Sequence, residues 1–107
     1  MVGEIEARLH EMGIELPEPA TPVANYVAYV VTGNLIFVSG QVPLEGGEFK
    51  YIGKVGGELS VEEGQAAARL CGINIIAQVK QALDGDLDRV RRVVKLVGFV
   101  NSTPEFT

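Results

Sequence analysis

Tyr26-Val27-Ala28-Tyr29-Val30-Val31-Thr32-Gly33-Asn34-Leu35-Ile36-Phe37-Val38-Ser39 decides the fold. Two apolar runs rich in β-branched and aromatic residues, Tyr26–Val31 and Leu35–Ser39, flank Thr32-Gly33-Asn34. Gly and Asn tolerate the positive φ that tight hairpin turns demand, so the stretch predicts a β-hairpin. Upstream, Pro17, Pro19 and Pro22 make residues 15–23 an extended connector, because each proline fixes its own φ and biases its predecessor away from helix. Before that, Ile5, Leu9 and Met12 fall at helical spacing and Gly13 terminates the pattern. A short amphipathic helix is predicted there, within an appended segment 1–14 that precedes a single domain over 15–107.

Downstream, residues 44–59 hold Gly46, Gly47, Gly53, Gly56 and Gly57 with little periodicity, which predicts a mobile loop in which Phe49, Tyr51 and Ile52 offer a short edge strand. Ser60-Val61-Glu62-Glu63 is a capping box and opens a long helix predicted to reach about Leu83. Gly64, Ala68, Cys71, Gly72, Ile75, Val79, Ala82 and Leu83 recur at three- and four-residue steps, giving one apolar stripe to set against a sheet. Its small members predict close backbone approach. Leu70, Ile73 and Ala77 form a second apolar patch pointing elsewhere. After Gly85 and Asp86-Leu87-Asp88, the run Val90–Val100 is rich in β formers and predicts a third strand. The predicted order is helix, β, β, α, β, an α+β domain. Strands apolar on both faces want cover on both, and one long helix supplies cover for one.

Composition narrows the function. A chain of 107 residues, 47% apolar and 21% charged, suits one compact domain. At this length about 65% of the unfolded surface is buried on folding, so burial between subunits would add usefully to stability. Nine Lys+Arg against 14 Asp+Glu give a net charge of -5, the wrong sign for a nucleic-acid or anionic-membrane partner. One cysteine, no bilayer-length apolar run and no basic-then-apolar leader predict a cytoplasmic protein without disulfides. Cys71 belongs to the helix stripe and is assigned to packing. His10 has no second ligand at useful spacing, so neither a metal site nor a catalytic triad is predicted. The glycines of 44–59 precede no Gly-Lys-Ser/Thr sequence, so no phosphate loop and no cofactor is predicted. Arg91 and Arg92 are neighbours on a predicted strand, so at most one could face a cleft, and both are assigned to solvent.

Several stretches resemble one family. Tyr26-Val27 followed by Gly33-Asn34-Leu35-Ile36-Phe37-Val38-Ser39-Gly40-Gln41-Val42-Pro43 is similar to the N-terminal signature of RidA-type (reactive intermediate deaminase, YjgF) proteins. Ser60-Val61-Glu62-Glu63-Gly64-Gln65-Ala66 resembles the start of that family's helix. Asp88-Arg89-Val90, Phe99-Val100-Asn101 and Pro104-Glu105-Phe106 resemble its third strand and following turn. The resemblance covers residues 22–107, and the N-terminal helix is extra relative to the smallest members. It implies a chorismate-mutase-like fold with a mixed sheet packed against helices, a homotrimer, and intersubunit clefts that bind small carboxylated metabolites. It implies hydrolysis of enamines or imines to ketoacids and ammonia, by a carboxylate-binding arginine and a water-assisting glutamate. Both belong to the family's C-terminal strand-helix-strand segment, which this sequence does not reach, so no catalytic residue is assigned. That segment would also cover Leu70, Ile73 and Ala77. By resemblance Tyr26, Ser39 and Gly40 contact ligand; by composition alone Tyr26 is a strand aromatic and Ser39-Gly40 a strand terminator. The alternatives to the deaminase are a non-catalytic ligand-binding or regulatory module and, third, the endoribonuclease or translation-inhibitor label the family sometimes carries.

Overall fold

The protein is a computed structural model that describes residues 3–22 and 25–107. Its elements are α1 (Glu4–Glu11), β1 (Tyr29–Thr32), β2 (Leu35–Val38), β3 (Leu44–Glu45), β4 (Glu48–Phe49) and α2 (Val61–Ala82), followed by a single 3-10 turn at Leu87–Arg89. The predicted α+β class stands. No helix among the described residues is long and apolar enough to cross a membrane. Val23, the last residue of the predicted connector, lies outside the described residues.

β1 and β2 form the predicted hairpin, pairing Tyr29 with Val38, Val30 with Phe37, Val31 with Ile36 and Thr32 with Leu35. Gly33 sits at φ 56°. A positive φ at the first central position of a two-residue loop belongs to the turns that match strand twist, and glycine adopts it without penalty. β1 begins at Tyr29, so Tyr26 is not a strand residue as composition suggested. The glycine-rich region is more ordered than predicted. β3 and β4 form a second, minimal antiparallel hairpin, Leu44 with Phe49 and Glu45 with Glu48. Gly46 and Gly47 make its turn at φ 60° and 84°. They act as turn residues, and Tyr51 and Ile52 stay outside any strand.

α2 opens with the predicted capping box: Glu63 N donates to Ser60 Oγ at 3.1 Å, and Ser60 N donates to Glu63 Oε1 at 2.9 Å. Leu83 is its C-cap. The packed face differs from the predicted stripe. Its buried residues are Asn74, Ala77 and Gln78, at i, i+3 and i+4, while Ala68 is exposed. Ala77, assigned to the outer patch, is 2% exposed and among the most deeply buried apolar residues. The predicted stripe runs through apolar residues, whereas two amides, Asn74 and Gln78, occupy the centre of the buried face. Close approach occurs at one end only: a Cβ on Gly64 would stand 2.9 Å from Val55 Cγ2, whereas one on Gly72 would meet nothing within 4 Å. α2 packs on both strands of the first hairpin and on β3.

The third strand is absent: residues 90–101 take no regular structure and 91–101 are all exposed. A strand needs a neighbour for its backbone N–H and C=O groups. Among the described residues this segment finds backbone partners at its two ends: Val90 N donates to Leu87 O at 3.1 Å, Val55 N donates to Asn101 O at 2.9 Å, and just beyond, Thr103 N donates to Val55 O at 3.0 Å. Both Arg91 and Arg92 are exposed, as assigned.

α1 is held against the body by a cap from far along the chain. Its own N-cap, Gly3, has no side chain to offer. Asp88 supplies the missing acceptors, taking Glu4 N on Oδ2 and Ile5 N on Oδ1, each at 2.9 Å. Glu6 and Lys80 add an ion pair at 3.0 Å. Asp88→Ala is expected to weaken the attachment by about 1 kcal/mol, seen as roughly fivefold faster amide exchange in 4–11 with α2 unchanged. Equal acceleration in both helices would show that the cap is not local to α1.

Candidate functional site

A small cavity lies where the proline connector, the first hairpin's exit and the middle of α2 converge. The connector contributes Ala20, Thr21 and Pro22; the chain into and out of the hairpin contributes Tyr26, Ala28, Gly40, Gln41 and Val42. Leu44 and Phe49 of the second hairpin, with Asn74 and Gln78 of α2, complete the lining. The cavity is partly open and has a volume of about 30 Å³, enough for a water-sized group and too little for a whole metabolite.

Amide side chains of α2 fix the walls. Asn74 Nδ2 donates to Val42 O at 3.1 Å and to Leu44 O at 3.0 Å, using both its hydrogens on the segment between the hairpins. One turn along, Gln78 Nε2 donates to Ala20 O at 2.9 Å and fastens the connector. Neither residue was singled out from the sequence, because a polar residue on a helix is ordinarily assigned to solvent. Their spacing was the only available signal, since both fall on the face that also carries Ala77.

Of the three sequence candidates, Tyr26 and Gly40 line this cavity. Ser39 is beside it. Its hydroxyl donates to Val27 O, its amide to Ala28 O at 2.9 Å, and its carbonyl accepts Gln41 Nε2 at 3.0 Å. These bonds shape the strand exit that presents Gly40. The lining holds no Asp, Glu, Lys, Arg or His among the described residues, so it offers a phenol, amides and backbone but no charge. Nor is there, among the described residues, a cluster of three or more His, Cys, Asp or Glu that could hold a metal ion.

The titratable groups lie elsewhere. Burial pushes the Cys71 thiol above its ordinary pKa, which makes it a poor nucleophile. The backbone N–H of Lys54 donates to Glu58 Oε1 at 2.9 Å and holds that exposed carboxyl below its usual range. Both groups serve local structure.

A family model described as "YjgF/chorismate_mutase-like, putative endoribonuclease" matches residues 6–105. The chain belongs to the YjgF family. Protein TCP17 of Trypanosoma cruzi is 50% identical to this YjgF-family chain over 105 residues, which is 98% of the chain and 65% of TCP17. A crystal structure of a protein of unknown function from Agrobacterium tumefaciens superposes with a TM-score of 0.87 at 52% identity, covering 96% of this chain and 62% of that one. A structure described as a "putative endoribonuclease" from Shewanella oneidensis MR-1 has a TM-score of 0.75 at 45% identity, covering 78% and 55%. This YjgF-family chain therefore spans less than two thirds of the length of each of these relatives.

Proposed function

We propose that this chain is the ligand-binding part of a trimeric YjgF-family protein that takes up small carboxylated metabolites between subunits and hydrolyses reactive enamines or imines. The observation that carries the reading is the meeting of Tyr26 and Gly40 on one cavity. Tyr26 offers an apolar wall with a hydroxyl, and Gly40, lacking a side chain, lets a ligand approach the backbone. Among the described residues the cavity supplies no charged group to pair with a carboxylate or to act as a general base. Those roles fall to the arginine and glutamate that the family resemblance places C-terminal to Thr107, a guanidinium fork for the carboxylate and a general base for water.

The uncharged lining also favours a second reading, a module that binds without turnover. RNA cleavage is weaker for this chain. A net charge of -5 opposes phosphate binding, and His10 is the lone histidine.

The test is 2-aminoacrylate hydrolysis by the full-length protein, beside binding of a small carboxylate such as propanoate and sedimentation of the free protein. Acceleration over the uncatalysed rate supports the deaminase; binding without acceleration selects the second reading; no binding, or a folded monomer, defeats both. Tyr26→Ala is expected to weaken binding about tenfold, in line with an aromatic ligand contact of about 1.4 kcal/mol, while circular dichroism stays unchanged.

A further inference from the structure

One polar atom in the cavity's wall has no role in the packing described so far. Gln78 is 1% exposed, the most completely buried large side chain among the described residues. Its amide orientation is fixed from one side: the atom facing Ala20 O must be the nitrogen, because a carbonyl only accepts. Its Oε1 is then an acceptor with no hydrogen-bond partner among the described residues. A buried carbonyl left without a donor is costly, and α2 could have carried an apolar residue of similar size there. The orphan atom belongs to a side chain that lines the cavity, whose volume of about 30 Å³ has room for an OH or NH group.

We propose that Gln78 Oε1 is the recognition point of this cavity and accepts a hydrogen bond from an O–H or N–H on the ligand, so that the site selects small molecules bearing a donor next to their carboxylate. The inference rests on the ligand-binding reading above and sharpens it. The side chains of Ala28, Val42, Leu44 and Phe49 are apolar walls and Asn74 spends both amide hydrogens on Val42 O and Leu44 O, so the polar side chains left to meet a ligand are Thr21, Tyr26, Gln41 and the Gln78 carbonyl. A ligand with a methyl group at this position would leave the Gln78 carbonyl unsatisfied, whereas a hydroxyl or amine would satisfy it. Sites built to hydrogen-bond a ligand discriminate against analogues lacking the group for this reason.

Two probes of nearly equal size test it on the full-length protein by 15N-detected titration: lactate, with a hydroxyl beside the carboxylate, and propanoate, without one. Lactate is expected to bind about tenfold more tightly and to shift the Gln78 side-chain amide signals. In Gln78→Met, which also removes the Gln78–Ala20 bond and so is read only as the ratio of the two affinities, the lactate preference should fall to within twofold. Equal binding of the two probes by the natural protein overturns the proposal without any variant, and leaves the ligand-binding reading standing. A lactate preference that survives in Gln78→Met places the recognition elsewhere and also overturns it. Failure of both probes to bind removes the ligand-binding reading and this inference together.

Discussion

Replacing Asn74 with leucine is expected to cost about 2–4 kcal/mol of folding stability, more than most single changes. The volume is conserved and the position is 5% exposed, so transfer of an apolar side chain into the interior gives some return. Against it stand two carbonyls, Val42 O and Leu44 O, that lose their donors at once. A buried acceptor without a partner costs about 1–3 kcal/mol, and two outweigh the gain. Urea unfolding is the measurement: the midpoint should fall with the slope unchanged. A loss below about 1 kcal/mol would mean that water reaches those carbonyls once the amide is gone. The same variant should weaken ligand binding, because Asn74 sets the position of the segment that carries Val42 and Leu44 into the cavity.

Gly64→Val is the second large effect, expected at about 1–3 kcal/mol of destabilisation. Helix propensity alone argues the other way, since glycine inside a helix costs about 1 kcal/mol relative to alanine. Packing reverses the sign. A Cβ here would stand 2.9 Å from Val55 Cγ2, closer than carbon atoms approach, and Val55 is 6% exposed with its backbone bonded on both sides to Asn101 and Thr103. Val55 has little freedom to retreat. Adding Val55→Ala to Gly64→Val should recover part of the loss, and the coupling between the two changes is the quantity to measure. Strict additivity would show that the strain is not at this contact.

The elements legible in the sequence are those whose causes are local. The first hairpin follows from Gly33 between two β-rich runs, and α2 from Ser60 and Glu63 reading each other across one turn. The second hairpin was equally legible: Gly46-Gly47 between Leu44-Glu45 and Glu48-Phe49 is a turn signal, obscured by the number of glycines after it. What escaped depends on distant partners. Val90–Val100 has the composition of a strand, but composition supplies no neighbouring backbone. The cap on α1 comes from Asp88, which no local pattern connects to Gly3, although a helix start without a capping side chain was a hint. At the site, Tyr26 and Gly40 are legible through the family signature, whereas Asn74 and Gln78 are not, because a helical amide gives no local sign that its partner is a distant carbonyl.

The exposed run from Val93 to Val100 carries a hazard of its own. Val93, Val94, Leu96, Val97, Phe99 and Val100 are each at least 61% exposed, with Phe99 at 95%. A stretch of high β propensity whose backbone groups find no strand partner among the described residues is a template for pairing with another copy of itself, and such segments can nucleate aggregates. Lys95 is the one charge from Val93 to Val100. Stacked in register with its copies it would set ammonium against ammonium, a repulsion that opposes such pairing.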